Sequence, residues 1–172
     1  MRRRLGERGF TLIELLIVVA IIGLLAAMLI PNLLDALQKA KQKRTVAECR
    51  LAGSAMMAWI TDQSSAAAAG QGIGNVIKVA DYPAISYSEV VSILVPTYIE
   101  TMPDRDGWKT FYDFHLNTTD PHSDFPLLIR SAGRDGQFEG DQYTIGAFEV
   151  TDYDRDIVWI NGFFVRWPQK LS

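Results

Sequence analysis

An apolar run near the N-terminus constrains this chain more than any other feature of its sequence. The run begins abruptly at Phe10, after a short basic leader that ends in Gly9, and continues to Ile30. From Leu15 to Ile30 no residue is charged or strongly polar. About 20 apolar residues, each rising 1.5 Å along a helix, span the hydrocarbon core of a bilayer. The sequence therefore predicts a membrane-crossing helix over residues 10–31, preceded by a leader of residues 1–9.

Glu14 is the acidic residue within this apolar run. A carboxylate in a membrane segment is expensive and normally has a partner. The run contains no Lys, Arg or His, and Arg8 lies six positions upstream of Glu14. A cut after Gly9 would create an α-amino group on Phe10, four residues from Glu14. That amine could pair with Glu14 of its own chain or of the next copy in a stack, and such a buried pair also fixes register.

A family resemblance is carried by the segment Arg-Gly-Phe-Thr-Leu-Ile-Glu-Leu-Leu-Ile-Val-Val-Ala-Ile-Ile-Gly-Leu-Leu-Ala-Ala, which begins at Arg8. It resembles the class III signal of type IV pilins and of type II secretion pseudopilins, and the match extends to about Pro31. The resemblance implies that a membrane prepilin peptidase cuts between Gly9 and Phe10. It also implies that Phe10 is then N-methylated and that Glu14 acts in filament assembly.

Two simpler interpretations account for less of this segment. A secretory signal peptide has a basic leader and an apolar core of about 7–15 residues, followed by a small-residue cleavage site. Here the core is longer, Gly9 precedes it, and the run continues past the small residues Ala26 and Ala27 to Ile30. A plain signal-anchor explains the length and the basic flank but leaves Glu14 unexplained.

Composition and charge fit one globular domain with a membrane anchor. Of the 172 residues, 48% are hydrophobic and 22% are charged, and about 140 residues follow the apolar run, enough for one modest core. The formal net charge is −3, and removal of the leader, which carries four arginines and one glutamate, leaves −6. Because nucleic-acid surfaces are basic, this charge argues against a nucleic-acid partner. Cys49 is the single cysteine and is predicted to be a small apolar helix residue.

The distribution of basic residues favours a cytoplasmic N-terminus. Four arginines precede the apolar run, whereas the next cluster, Lys39 to Arg44, begins nine residues beyond Ile30. The charges that are closer and come first set the orientation in most single-pass proteins. The resemblance implies the same arrangement: an anchor in the bacterial inner membrane and a C-terminal domain in the periplasm, or outside the cell if the filament is a true pilus.

The stretch after the apolar run, residues 32–63, is predicted to continue as an amphipathic helix. Its apolar residues recur at steps of three and four, while Lys, Gln, Glu and Arg fill the other face. Together with the membrane part, the predicted helix runs from about Thr11 to about Asp62, a length of roughly 75 Å. Pro31 is expected to kink it. Residues 64–107 are predicted to be an Ala- and Gly-rich connection with a short helix from Ser88 to Leu94, capped by Ser86 or Ser88.

Residues 108–172 are predicted to form a small antiparallel sheet. Strand patterns occur at 108–116, 125–131, 143–150, 157–160 and 163–167, and Asn161-Gly162 is a typical hairpin turn between the last two. Just before them, Asp106-Gly107-Trp108 stands where major pseudopilins, which this stretch resembles, usually have Asp-Pro-Trp-Gly. The predicted fold class is α+β, with a long N-terminal helix packed on a small C-terminal antiparallel β-sheet in the manner of type IV pilins.

Residues 131–156, which we call the acidic region, are a candidate calcium site. Calcium takes six to eight oxygen ligands, which carboxylates and loop carbonyls supply. Two short elements, Ser131-Ala-Gly-Arg-Asp-Gly136 and Asp156-Ile-Val-Trp159, resemble elements of major pseudopilins in a region where that family binds calcium. The expected ligands are Asp135, Asp141 and Asp156. The alternative is a solvated acidic turn without a metal.

No pattern in the sequence predicts an enzyme. The chain lacks a Gly-x-Ser-x-Gly elbow and a phosphate-binding loop, and His115 and His122 have no partners suited to zinc. The predicted function is a structural subunit of a type II secretion pseudopilus that drives protein export. Its expected partners are further copies, minor pseudopilins, the prepilin peptidase, the inner-membrane assembly platform and the bilayer. The alternatives are a type IV pilin subunit and a membrane-anchored periplasmic binding module that never polymerises.

Overall fold

The computed structural model of the protein describes residues 9–63, 76–121 and 123–171. The chain divides into two compact units, residues 1–37 and residues 38–172. Three features singled out in the sequence lie outside the described residues: the leader before Gly9, residues 64–75 of the Ala- and Gly-rich connection, and His122.

The long helix α1 spans Leu12–Gln63, within one residue of the predicted bounds at both ends. Pro31 lies inside it, and the helix continues on both sides of that residue. Within the described part of the chain, α1 is the one helix long and apolar enough to cross a membrane. Its most apolar window is not buried against the protein. The first unit therefore presents its Leu, Ile and Val side chains outward, as a membrane-crossing segment requires.

The part of α1 in the second unit is amphipathic, as predicted. Its buried residues recur at three- and four-residue steps, and among them are Cys49, Ala52, Met56 and Ile60. Cys49 is fully buried, which confirms its role as a small apolar residue of the helix. The opposite face carries exposed residues such as Arg44. This buried face is the side on which the helix meets the sheet.

Gly53 allows the sheet to approach α1 closely. A Cβ atom added at this position would overlap the ring of Trp159, which lies on the facing strand and is buried. The aromatic ring therefore packs directly on the helix backbone, where any larger residue at position 53 would push it away.

A turn at Asp106–Thr110 is attached to the start of the second unit's helix. The amide of Gly107 donates to Thr45 Oγ1 at 2.9 Å, and Trp108 Nε1 donates to Gln38 Oε1 at 2.7 Å. A Cβ at Gly107 would overlap the backbone carbonyl of Lys41. Glycine is thus required at this position by close approach, and we call this contact between the turn and α1 the helix clamp.

Between α1 and the sheet, the chain forms a short strand and a short helix. Strand β1 spans Val76–Lys78, in a stretch where the sequence predicted only a connection, and a 3-10 turn follows at Val79–Asp81. Helix α2 spans Tyr87–Leu94, in agreement with the predicted helix. Of the two predicted caps, the structure uses Ser86, whose side chain accepts from the amide of Glu89 while the Glu89 carboxylate accepts from the amide of Ser86.

Replacing the cap residue tests this assignment. We expect Ser86→Ala to lower the free energy of unfolding by about 1 kcal/mol, because one orphan amide at the start of α2 loses its acceptor. The measurement is the midpoint of urea unfolding. The matched control is Ser92→Ala, which removes a hydroxyl that donates to the Glu89 carbonyl inside the same helix. An unchanged midpoint for Ser86→Ala would contradict the capping role.

The sheet of the second unit has five strands in the order β2-β3-β6-β7-β5, and β4 pairs with β1 in a separate two-stranded sheet. The strands are β2 Asp113–Leu116, β3 Leu127–Ser131, β4 Gln142–Thr144, β5 Gly146–Glu149, β6 Ile157–Ile160 and β7 Phe163–Gln169. The predicted antiparallel pairing is confirmed for β2, β3, β6 and β7, whereas β5 joins β7 in parallel. The predicted α+β fold is thus confirmed.

One predicted turn and two predicted strands can be compared with the structure residue by residue. The Asn161-Gly162 hairpin turn is confirmed, with φ of 41° and 103° at its two residues. The strand predicted from residue 108 begins only at Asp113, because Asp106 Oδ1 accepts the amides of Trp108 and Thr110 and holds a turn. The single strand predicted over residues 143–150 is two strands, since the chain changes its pairing partner from β1 to β7 at residue 145.

Both faces of the sheet are buried. On one face, residues such as Ile129 and Trp159 pack with α1 and α2. On the other, Leu128, Val158 and Ile160 pack with residues of β1 and β4, among them Ile77 and Tyr143. Successive residues of a strand point to opposite faces, so β3 and β6 are apolar on both sides rather than alternating. The second unit therefore has two cores, one on each side of its sheet.

Candidate functional site

The predicted processing site lies in an exposed stretch before α1. Gly9 and Phe10 are outside any helix or strand, and the Phe10 side chain is 77% exposed. A Cβ at Gly9 would meet nothing within 4 Å, so packing within the subunit does not explain why glycine stands there. The peptide bond between Gly9 and Phe10 is therefore accessible, as cleavage by a peptidase requires.

Glu14 lies in the first turn of α1 and is bonded to Thr11. The Thr11 amide and hydroxyl donate to Glu14 Oε2 at 2.8 Å and 2.7 Å, and the Glu14 amide donates to Thr11 Oγ1 at 3.3 Å. This reciprocal arrangement is a capping box. The spacing Thr-x-x-Glu is the sequence signal from which it could have been predicted. In a single subunit, Glu14 thus stabilises the start of its own helix.

The three predicted calcium ligands lie in different environments. Asp135 is exposed, and its Oδ1 accepts from the amide of Gln137 at 3.0 Å. The side chain of Asp141 is 82% exposed and lies 3.5 Å from Arg130 Nη1. Asp156 is fully buried. Among residues 9–63, 76–121 and 123–171, no group of three or more His, Cys, Asp or Glu side chains could hold a metal ion.

Asp156 differs from the other two predicted ligands because its carboxylate is buried. Its Oδ2 accepts from the hydroxyl of Tyr143 at 2.5 Å and from the amide of Glu139 at 2.9 Å, while its buried Oδ1 has no hydrogen-bond partner. Burial raises the pKa of Asp156 to about 6, although these two hydrogen bonds oppose the shift. The same burial raises the pKa of Tyr143 above its ordinary value.

A chain of hydrogen bonds between mostly buried side chains connects Asp156 to the edge strand β2. Arg130 Nη1 donates to the Tyr143 hydroxyl at 3.3 Å, and Arg130 Nε donates to Asp113 Oδ2 at 2.7 Å. His115 Nε2 lies 3.1 Å from the same Asp113 oxygen. Burial raises the pKa of Asp113, but the hydrogen bonds to His115 and Arg130 outweigh it and hold the pKa below its ordinary value. His115 is thus a strand residue, as expected.

Two arginines of the acidic region contact its carboxylates. Arg134 binds Asp154 through two parallel hydrogen bonds of 2.7 Å and 2.6 Å. Arg155 donates to Asp152 Oδ2 at 2.9 Å and to Glu139 Oε1 at 3.0 Å. These pairs were not predicted. In the sequence, the pairs could have been suspected only from the positions of the arginines. Arg134 lies inside the element that ends at Gly136, and Arg155 directly precedes Asp156.

The side chains as placed do not fit the predicted calcium ion. Calcium requires six to eight oxygens around one point. Here two of the expected ligands, Asp135 and Asp141, are exposed whereas Asp156 is buried. Neighbouring carboxylates such as Asp154 are bound to guanidinium groups. No step of the function is therefore assigned to a metal.

Comparison with known proteins identifies relatives over most of the chain. The model of the prokaryotic N-terminal methylation motif matches residues 4–30. The type II secretion system core protein G of Escherichia coli is 30% identical over 139 residues, covering 80% of this chain and 88% of the relative. The protein of that name from Vibrio cholerae is 28% identical over 155 residues, covering 89% and 99%.

A further similarity covers only a short segment. The type IV wide pilus major component PilA4 of Thermus thermophilus is 73% identical over 35 residues, which are 20% of this chain and 27% of the relative. No solved structure matches the chain. The similarity that reaches through the sheet is therefore to the core protein G sequences.

Proposed function

This chain belongs to the family of the type II secretion system core protein G and is a pseudopilin, a structural subunit of a pilus-like filament, and from this premise we propose how it is processed, anchored and assembled. One observation carries the assignment: the 30% identity covers 80% of the chain and so extends far beyond the N-terminal motif. The relatives are structural subunits rather than enzymes. The filament is the type II secretion pseudopilus, whose growth from the inner membrane drives protein export.

In our proposal the new subunit is a single-pass protein of the inner membrane with its leader in the cytoplasm and its second unit in the periplasm. The exposed apolar surface of α1 and the basic leader support this orientation. A prepilin peptidase removes residues 1–9 and leaves Phe10 as a methylated N-terminus. The exposed segment at Gly9 and Phe10, which lies outside any helix or strand, is accessible to such an enzyme.

Assembly then transfers the apolar part of α1 from lipid into a bundle of identical helices. Gly23, Ala26 and Ala27 allow neighbouring helices to approach closely. Glu14 meets the Phe10 amine of the adjacent copy, so two isolated charges are removed together. In the subunit before assembly, Thr11 holds Glu14 through the capping box and provides hydrogen bonds in place of that amine. The driving force comes from an assembly platform in the inner membrane, and minor pseudopilins are the further partners.

The mature N-terminus tests this proposal most directly. We expect mass spectrometry of the chain purified from membranes to show a start at Phe10 that carries one additional methyl group. The control is a Gly9→Glu variant, which places a charged side chain at the cut and is expected to keep its leader. A mature chain that begins at Met1, or one cut after Ala27, would contradict the processing step.

A type IV pilin of the cell surface is a second candidate, because 35 residues of the chain are 73% identical to a Thermus wide-pilus subunit. The two functions differ in where the filament ends. Immunogold labelling of intact cells would detect a surface pilus, whereas a pseudopilus is expected to be labelled only after the outer membrane has been opened.

A further inference from the structure

We propose that Arg134 and Arg155 close the acidic region of this chain, so that it folds without the calcium ion that its sequence predicts. The region contains two loops that need a link between them. The first, residues 132–141, connects β3 to β4, and the second, residues 150–156, connects β5 to β6. Without a link between them, the carboxylates of the two loops would repel one another.

The link is reciprocal, since each loop supplies one guanidinium group and one carboxylate. Arg134 of the first loop binds Asp154 of the second with both of its hydrogen bonds, at 2.7 Å and 2.6 Å. Arg155 of the second loop binds Glu139 of the first at 3.0 Å. A guanidinium group that holds a carboxylate by two parallel bonds fixes its orientation as well as its distance. The two pairs therefore cross-link the loops in both directions.

The main chains of the two loops are also in direct contact. The amide of Arg134 donates to the carbonyl of Tyr153 at 2.8 Å. Gly133 has a φ of 69°, and a Cβ there would lie 2.8 Å from the carbonyl oxygens of Tyr153 and Arg155. The carbonyl of Tyr153 would be a suitable ligand for a hard cation, but an amide of the opposite loop already donates to it. Gly133 is required because no side chain fits at this crossing.

The two guanidinium groups disfavour an additional cation at the carboxylates that they bind. A calcium ion bound to Asp154 would lie close to the Arg134 guanidinium group, and one bound to Glu139 would lie close to Arg155. Like charges at that distance repel, which weakens the binding of a cation there. The buried carboxylate oxygen that these contacts leave without a partner is Asp156 Oδ1, against the six to eight oxygens that calcium takes. The two arginines therefore supply the positive charge between the loops that a calcium ion would otherwise supply.

The first test is thermal unfolding of the full chain in detergent micelles, followed by tryptophan fluorescence, with excess calcium chloride or with EGTA. An ion that binds only the folded state at about 100 times its Kd would raise Tm by about 5–10 °C for a protein of this size. We expect the two Tm values to differ by less than about 1 °C. A calcium-dependent rise of the larger size would overturn the proposal.

The second test removes and then restores one pair. Arg134→Asp is expected to lower Tm by about 2–4 °C, and the exchange of both residues, Arg134→Asp with Asp154→Arg, is expected to recover more than half of that loss. The control is Arg105→Ala, since Arg105 lies outside the acidic region and its side chain is 46% exposed, against 47% for Arg134. If Arg134→Asp leaves Tm unchanged, or the exchange recovers nothing, the pair does not close the region. Neither test depends on filament formation.

Discussion

Glu14→Ala is expected to abolish incorporation of the subunit into filaments while leaving its insertion into the membrane intact. The carboxylate is the one charge in the apolar part of α1. In the proposed filament it pairs with a Phe10 amine. Without it, each amine buried by assembly would be unpaired. Loss of such a pair should reduce incorporation by about 100-fold for each added subunit, which prevents growth. The measurement compares subunit in sheared filaments with subunit in the membrane fraction.

Two companion variants separate the charge of Glu14 from its capping bonds. Glu14→Gln keeps an acceptor for the Thr11 amide, because glutamine also forms capping boxes, but it removes the charge. Thr11→Ala keeps the charge but removes the hydroxyl that bonds to it. We expect Glu14→Gln to fail in assembly and Thr11→Ala to assemble. The reverse pattern would assign Glu14 to helix capping alone.

Normal assembly of Glu14→Ala would remove the proposed mechanism of polymerisation. A chain that inserts into the membrane but yields no filament even when its sequence is unchanged would instead fit the alternative of a membrane-anchored periplasmic binding module. The unchanged chain must therefore be assayed for filaments beside the variants.

Trp159→Ala is expected to cause the largest loss of stability in the second unit. Trp159 is 3% exposed, and its ring lies on the helix backbone at Gly53. Truncating a buried aromatic side chain costs about 3–5 kcal/mol, because burial is lost and a cavity remains between α1 and the sheet. That is a large fraction of the total stability of about 5–15 kcal/mol that is usual for a folded protein.

The midpoint of urea unfolding measures this effect, and Trp167→Ala is its matched control. Trp167 lies on β7, is only partly buried, and its Nε1 donates to Gln169 two residues away. We expect a shift several times smaller for Trp167→Ala. Equal shifts for the two variants would show that the contact at Gly53 is not the main link between α1 and the sheet.

Features with a local physical cause could be predicted from the sequence. The bounds of α1 follow from an apolar run and a continuing three- and four-residue periodicity, and the turn at Asn161-Gly162 follows from the positive φ that its two residues adopt readily. The parallel pairing of β5 with β7 and the separate β1–β4 pair could not be predicted, because they depend on which distant segment each strand meets. The turn at Asp106 shortened β2 through side-chain bonds that a strand pattern does not reveal.

The same difference between local and long-range causes applies to the candidate sites. Gly9, Phe10 and Glu14 belong to one continuous motif, so a single segment of sequence was enough to select them, and their roles in processing and assembly remain predictions. The acidic region is different, because Arg134 and Asp154 are 20 residues apart and meet only when two loops cross. Spacing alone indicated carboxylates suited to calcium. It could not indicate that guanidinium groups would be placed beside them.

The helix clamp gives the folded subunit a defined response to tension. A filament that pushes or pulls on its subunits applies force along α1, and in the second unit this force reaches Gln38, Lys41 and Thr45 before the rest of the helix. The bonds from Trp108 to Gln38 and from Gly107 to Thr45 join the turn to the helix, so sliding of the helix loads them together in shear. Force along the helix is therefore passed through this turn to the rest of the second unit.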